Sequence, residues 1–258
     1  MSRLCQHEPV DARSPADLLR RAGWWIADYL YAGGRQLAVL GLPWLPGRVA
    51  LEPASWRAGR DNLPEVVLIP GVYEHWSFLR PLGDALTAAG HRVVVVHGLG
   101  ANLLDIPETA RRLDRALARC AVPPAGRVLV AHSKGGLVGK SLLVTLGDAA
   151  ATERGLIGLV AVSTPFAGSK LARLFLDPRI RDFSPRNRTI VQLGGSQGVN
   201  GDIVSIFGPF DPHIPEGSAL PGATNVEVPV AGHFRPLGAA STHRAVVEGI
   251  ALLAHRAG

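Results

Sequence analysis

The sequence predicts an α/β domain with a mostly parallel sheet of about six strands and helices on both faces. Three observations predict it. Short continuous apolar runs alternate with amphipathic stretches of helical length, the pattern of buried parallel strands and their crossover helices. The length, 258 residues, suits one large single-core domain. A serine, Ser133, stands in a glycine-rich turn between the end of one apolar run and the start of a helix.

Along the chain, residues 1–13 read as a polar tail. Ser14-Pro15 then supplies a helix cap and first helical residue, with Asp17 in the first turn. Leu18, Leu19, Ala22, Trp25, Ile26, Tyr29 and Leu30 share one stripe, and Asp17, Arg21, Trp24 and Asp28 the opposite side. Gly33-Gly34 is expected to end the helix. The stripe is expected to dock on the core. A helix lying on a lipid surface, with Trp24 on its outer face, is the sharper alternative. Residues 41–64 are rich in Pro and Gly and read as irregular connection.

From Glu65 the pattern becomes regular. Apolar runs at 65–70, 91–97, 127–131 and 156–162 read as strands. Helical spacing covers 77–90, with Leu79, Leu82 and Leu86 inward, then 106–121, 135–146 and 239–257. Residues 165–200 break the rhythm and are rich in Arg, Pro, Phe and Gly. Ile203–Phe207 and Val226–Val230 supply two more strands.

Composition narrows the partners. The chain carries 27 Lys+Arg against 21 Asp+Glu, a net charge of +6. Such a balance favours an anionic phospholipid or nucleic acid. The basic residues are scattered, with no run and no aromatic platform between them, which argues against nucleic acid. Cys5 and Cys120 form no CxxC and no metal-ligand spacing, so they read as free thiols in a reducing compartment. No apolar run follows a basic leader, and the run from Ala22 to Ala32 is interrupted by Asp28. It falls far short of the ~20 residues a spanning helix needs. The expectation is a cytoplasmic chain whose membrane contact, if any, is peripheral, through the N-terminal helix. The oligomeric state is left open.

The strongest chemical signal is Val128-Leu-Val-Ala-His-Ser133-Lys-Gly-Gly-Leu137. A strand enters, the serine sits in a tight turn, and an apolar helix leaves: the context of a nucleophile elbow. The G-x-S-x-G pattern is imperfect, since Ala131 stands at its first position. The plain alternative is a serine capping the next helix.

A serine nucleophile needs a base. His233 follows the last predicted strand, in Ala231-Gly232-His233-Phe234. The rivals are His97, too early in chain order, and His132, which should point away from Ser133. The imidazole needs a carboxylate to fix its tautomer. Asp202 precedes the strand at 203–207, at the wrong edge of the sheet; Asp211 follows it, at the edge carrying Ser133 and His233. The order Ser133, Asp211, His233 is that of the α/β-hydrolase type. An Asp capping the turn before Pro212 is the bland reading. For the oxyanion, backbone N–H donors are expected from Lys134 and from the loop Pro70–Trp76, with Val72 first and Tyr73 next. No metal or organic cofactor is required.

These residues resemble bacterial lipases and esterases of the α/β-hydrolase superfamily, particularly small lipases of the triacylglycerol-lipase type. The resemblance rests on Leu68-Ile-Pro-Gly71, Ala131-His-Ser-Lys-Gly-Gly136, Ser163-Thr-Pro-Phe-Ala-Gly-Ser169, Ile206-Phe-Gly-Pro-Phe-Asp211 and Gly232-His233, and spans residues 65 to about 255. It implies an α/β-hydrolase catalytic domain over 65–258, with 1–64 packed on it. It also implies a lid-like insertion at about 165–195. Phe166, Leu171, Leu174, Phe175 and Leu176 are its candidate acyl-pocket or lid contacts, joined by Tyr73, His75, Trp76 and Phe234 as candidate substrate-binding residues. Phe166 replaces a His often found there, and Lys134 stands where Met or Gln is usual; both leave the substrate open. The implied reaction is hydrolysis of a small-molecule or lipid ester with an apolar acyl chain, through an acyl-enzyme on Ser133. The same triad would also serve thioester hydrolysis or acyl transfer to another acceptor. A non-catalytic binding protein of this fold is the third reading.

Overall fold

The computed structural model describes residues 14–40 and 52–258, with side chains at 37–40 left aside. The tail at 1–13, with Cys5, and residues 41–51 of the connection expected at 41–64 lie outside the described residues. Cys120 is a free, exposed thiol.

Six strands form one sheet in the order β2-β1-β3-β4-β5-β6. They are β1 (Glu65–Ile69), β2 (Val93–Val95), β3 (Arg127–His132), β4 (Leu156–Val162), β5 (Ile203–Phe207) and β6 (Thr224–Glu227). Every pairing is parallel. A parallel strand is covered on both faces, so its apolar run is continuous and successive residues serve opposite cores. Val67 and Ile69 of β1, with Leu129 and Ala131 of β3, face one core. Val66, Leu68, Val128 and Val130 face the other.

The helices are α1 (Pro15–Leu40), α2 (Arg80–Ala88), α3 (Ile106–Leu117), α4 (Lys134–Glu153), the one-turn α5 (Pro178–Arg181), α6 (Arg188–Gly195) and α7 (Ala240–Ala257). Helices α3, α4 and α6 cover one face through Leu113, Leu137, Leu142, Ile190 and Leu193. Helices α2 and α7 cover the other through Leu82, Leu86, Val246 and Ile250. At the amino edge, Arg127 is buried, pairs with Glu65 at 2.8 Å and donates to the carbonyls of Arg154 and Ala121. A buried guanidinium is tolerated only when its donors are matched in this way.

Three elements differ from expectation. Helix α1 does not stop at Gly33-Gly34 but runs to Leu40. Two glycines lower helix propensity by about 1 kcal/mol each; they do not break a helix held by its neighbours. Strand β6 begins at Thr224, earlier than the apolar run at 226–230, because an edge strand is covered less and its sequence alternates. Helix α4 continues past Leu146 to Glu153, across a non-helical residue, Gly147, at φ 63°.

The largest difference is the orientation of α1. Its apolar stripe faces outward: Leu18, Leu19, Ile26 and Leu30 are exposed, Leu19 at 75% and Leu30 at 72%. Its polar side faces the protein, with Asp17 and Asp28 both buried. Polar groups can take the inner face when each finds a partner. Asp17 accepts from Arg20 and pairs with Arg21 at 3.0 Å. Asp28 accepts three backbone N–H groups.

Candidate active site

Ser133 sits between β3 and α4 with φ 51° and ψ −122°, a conformation that a non-glycine residue adopts at a cost. The turn is held from several sides. The Ser133 N–H donates to the Val162 carbonyl at 2.9 Å, and Thr164 Oγ1 donates to the Ser133 carbonyl at 3.0 Å. Two glycines let the helix start this close to the sheet. A Cβ on Gly135 would lie 2.4 Å from the Ile69 carbonyl oxygen, and one on Gly136 2.0 Å from Thr164 Oγ1. No such collision arises at Ala131, which lies buried inside β3. The departure from G-x-S-x-G therefore leaves the turn intact.

His233 Nε2 lies 2.9 Å from Ser133 Oγ, and His233 Nδ1 lies 2.8 Å from Asp211 Oδ2. The three residues come from the carboxyl edge of the sheet, after β3, β5 and β6. All three side chains are almost wholly buried, which strengthens the ion pair. Asp211 Oδ1 also accepts the N–H groups of His213 at 2.8 Å and Ile214 at 3.1 Å. The turn expected of an Asp-Pro sequence is thus present together with the contact to His233. Burial works to raise the Asp211 carboxyl, but the imidazole and these hydrogen bonds prevail and hold it below the usual carboxylate range. Burial works to lower His233; Asp211 outweighs it, with help from Glu74 and Asp28, and the imidazole is raised. The rivals are elsewhere: His97 pairs with Glu52 at 2.8 Å on the surface, and His132 turns away from the serine toward Glu74.

The loop after β1 approaches Ser133 from the opposite side. The N–H of Tyr73 donates to the Ala101 carbonyl at 2.9 Å, so Tyr73 is not an oxyanion donor. Among the described residues, the N–H groups of Val72 and Lys134 make no hydrogen bond to the protein. The loop rests on its neighbours. Gly71 N–H donates to Glu74 Oε2 at 2.7 Å, and Asn102 Nδ2 donates to the Pro70 carbonyl at 2.7 Å. The Lys134 side chain reaches the same region, donating to the Asn102 carbonyl at 2.8 Å and to Leu104. Burial lowers its ammonium to about 8. The lysine beside Ser133 is therefore a brace for the loop at 100–105.

A cavity of about 450 Å³ opens beside Ser133 and His233. That volume lies in the range of small-ligand sites, roughly 300–1,000 Å³. Of the expected contacts, Tyr73, Leu171, Leu174, Phe175 and Phe234 line it. His75, Trp76, Phe166 and the exposed Leu176 do not. His75 turns to Ser77, its Nδ1 3.0 Å from the Ser77 hydroxyl. Trp76 is buried in the core edge-on to Trp56, their ring centres 5.6 Å apart. Phe166 is buried beneath the site, with Lys140 Nζ 5.9 Å from its ring centre. A large side chain on a loop near a strand end can drop into the core as readily as rise into the mouth, and the loop sequence does not distinguish the two.

The cavity also takes residues that sequence reasoning missed. Trp25 and Tyr29 come from the outward stripe of α1, and His213 from the turn that holds Asp211. His213 stacks on Trp25 at 6.3 Å, and burial pushes its imidazole down to about 3. The aromatic-rich stripe was the available signal for Trp25 and Tyr29. Nothing local marked His213. Residues 165–187 cover one wall, with the 3₁₀ turn Lys170–Leu174 and α5. The Tyr73 hydroxyl donates to Asp177 and so ties this cover to the loop after β1. Among the described residues no group of three or more His, Cys, Asp or Glu side chains could hold a metal. No described helix is long and apolar enough to cross a membrane.

A parallel sheet with a strained serine turn, an acid after the next-to-last strand and a histidine after the last one is the architecture of the α/β-hydrolase superfamily, and the chain has that fold. Solved structures agree. Lipase BlEst2 of Bacillus licheniformis in its mature form superposes with a TM-score of 0.58 at 14% identity, covering 76% of this chain and 94% of that one. Aspergillus fumigatus lipase B gives 0.55 at 21% identity over 70% of this chain; the alignment spans 46% of the Aspergillus protein. Mouse alpha/beta hydrolase domain-containing protein 10 gives 0.51 at 14%, covering 76% and 91% of the two chains. No protein-family model and no curated protein sequence matches the chain.

Proposed function

We propose that the chain is a serine carboxylic-ester hydrolase, an esterase or lipase, acting on esters with an apolar acyl chain. The observation that carries this reading is the unbroken hydrogen-bonded series Asp211–His233–Ser133 at the floor of an apolar cavity. His233 takes the hydroxyl proton as Ser133 Oγ attacks the ester carbonyl. Asp211 fixes the tautomer and stabilises the imidazolium. The N–H groups of Val72 and Lys134 receive the oxyanion, donors whose loss typically costs about 100–1,000-fold in turnover. His233 then gives its proton to the leaving alcohol, and water repeats the sequence to release the acid.

The acyl chain lies against Phe175, Leu171, Phe183 and Phe78, all lining the cavity. The exposed part of the insertion, with Leu174 and Leu176 outward, serves as its cover. A series of p-nitrophenyl esters tests this: kcat/KM is expected to rise above the acetate value as the acyl chain lengthens, then fall when the cavity is full. A steady decline from acetate upward would remove the apolar-chain preference. Product formation that requires an added acyl acceptor, or a strong preference for thioesters, would move the assignment to acyl transfer or thioester hydrolysis with the same residues.

One observation favours contact with a lipid surface as well. The outward stripe of α1 continues through Trp25 and Tyr29 to the cavity mouth and on to exposed Leu174, Phe175 and Leu176. Exposed Arg20 lies on α1, Arg173 on the 3₁₀ turn Lys170–Leu174 and Arg179 on α5. An apolar band with arginines suits an anionic bilayer face. Sedimentation with phosphatidylglycerol vesicles is expected to carry the protein down, and Leu19→Glu with Leu30→Glu to leave it in the supernatant. Wild-type protein that stays unbound at low salt would overturn this contact.

A further inference from the structure

The loop that carries His233 is gripped by α1, some two hundred residues earlier in the chain. Asp28, in the middle of that helix, is 0% exposed. Its Oδ2 accepts the N–H of His233 at 2.9 Å; its Oδ1 accepts those of Phe234 at 2.8 Å and Arg235 at 2.9 Å. A buried carboxylate is costly unless hydrogen bonds replace its water. No ion pair to Asp28 occurs among the described residues, so these N–H groups are its compensation. The fit is close, since a Cβ on Gly232 would lie 2.4 Å from Asp28 Oδ1.

The other backbone group of His233 is held too. Its carbonyl lies 3.0 Å from His132 Nε2, and His132 Nδ1 lies 2.8 Å from Glu74 Oε1. Glu74 in turn anchors Gly71 in the oxyanion-side loop. Further along α1, Gln36 Nε2 donates to the Tyr73 carbonyl at 3.0 Å. The same helix thus touches both loops that face Ser133.

We propose that Asp28 is a positioning residue for His233. By capping three consecutive N–H groups it fixes the height and tilt of the imidazole over Ser133 Oγ, and it makes α1 part of the catalytic apparatus. This rests on the reading of His233 as the general base. Asp28 does not touch substrate; it acts through the backbone of the residue that does. Its negative charge, with Asp211 and Glu74, also favours the imidazolium of His233, while His213 and His132 are the titratable rings packed on the other sides.

The near-isosteric variant Asp28→Asn separates positioning from bulk. An amide cannot accept at both ends, so at least one of the three hydrogen bonds is lost and the charge with it. Measured on the full chain with the best p-nitrophenyl ester, kcat is expected to fall by about 100-fold, the scale of a displacement of about 1 Å at a reacting group, with KM little changed. The acid limb of kcat/KM is expected to move to lower pH, because an imidazolium without this neighbour loses its proton more easily. A structural role alone would lower thermal stability and active fraction and leave that limb in place. Folded Asp28→Asn with wild-type kcat and an unmoved limb overturns the proposal.

Should Asp28→Asn not fold, amide exchange in the wild-type chain reads the same contact. The N–H groups of His233, Phe234 and Arg235 are expected to be protected as long as those of α1, and exchange at the rate of open loops would overturn the grip. Fluorophosphonate labelling of the wild type keeps the two ideas apart. Wild-type protein that neither labels nor hydrolyses esters defeats the serine-hydrolase reading and this inference with it. Labelling and hydrolysis that are indifferent to Asp28 defeat the inference alone.

Discussion

Ser133→Ala is expected to lower kcat/KM for the preferred ester by about 10⁶-fold and to abolish fluorophosphonate labelling, with the unfolding midpoint close to wild type. The size follows from the unit character of a triad: removing the nucleophile disables the base as well, and what remains comes from the oxyanion donors and binding. The fold should be spared because what Ser133 gives the structure comes from its backbone. Its N–H bonds to Val162 and its carbonyl receives Thr164, and neither needs the hydroxyl. Alanine at φ 51° is strained much as serine is, so the turn changes little. Titration with the labelled probe, beside circular dichroism, checks both halves. Retention of more than about a tenth of wild-type turnover would mean that another group attacks the ester.

How far the sequence foretold this site depended on what each residue touches in the fold. Ser133, Asp211 and His233 were legible because each follows a strand at the carboxyl edge of the sheet, and a parallel sheet brings those ends together whatever lies between them. The strand cores were legible for the same reason: β-branched runs such as those in β1 and β4 have one burial pattern to satisfy. The orientation of α1 was not. An apolar stripe is ordinarily the inner face of a helix, which would put Asp28, on the opposite side, toward solvent. The partners that reverse this reading are backbone N–H groups at 233–235, and main-chain donors leave no mark on a sequence. Glu74 was hidden in the same way, since its partners are Gly71 N–H and His132. Trp76 and Phe166 were misplaced because loop residues at a strand end have two directions open to them, and the choice depends on room beside Trp56 and Lys140.

Asp211→Asn is expected to cost about 10⁴-fold in kcat near neutrality, the scale seen when a triad acid becomes an amide. The geometry says why. Asp211 Oδ2 accepts from His233 Nδ1, which leaves Nε2 bare to accept the Ser133 proton. Oδ1 is committed to the N–H groups of His213 and Ile214, so an asparagine keeps its oxygen there and turns its NH₂ toward the imidazole. A donor at that position forces the proton onto Nε2, where it blocks the serine. The turn survives and the tautomer is wrong. The pH profile carries a second sign. In the wild type, Asp211 raises the imidazole against the effect of burial, so kcat/KM is expected to climb with pH through a limb above the ordinary histidine value of about 6.5. Without the carboxylate, burial is the larger influence left, and the residual activity is expected to climb at lower pH than in the wild type. Wild-type-like turnover in Asp211→Asn, with the limb unmoved, would show that some other acceptor orients His233.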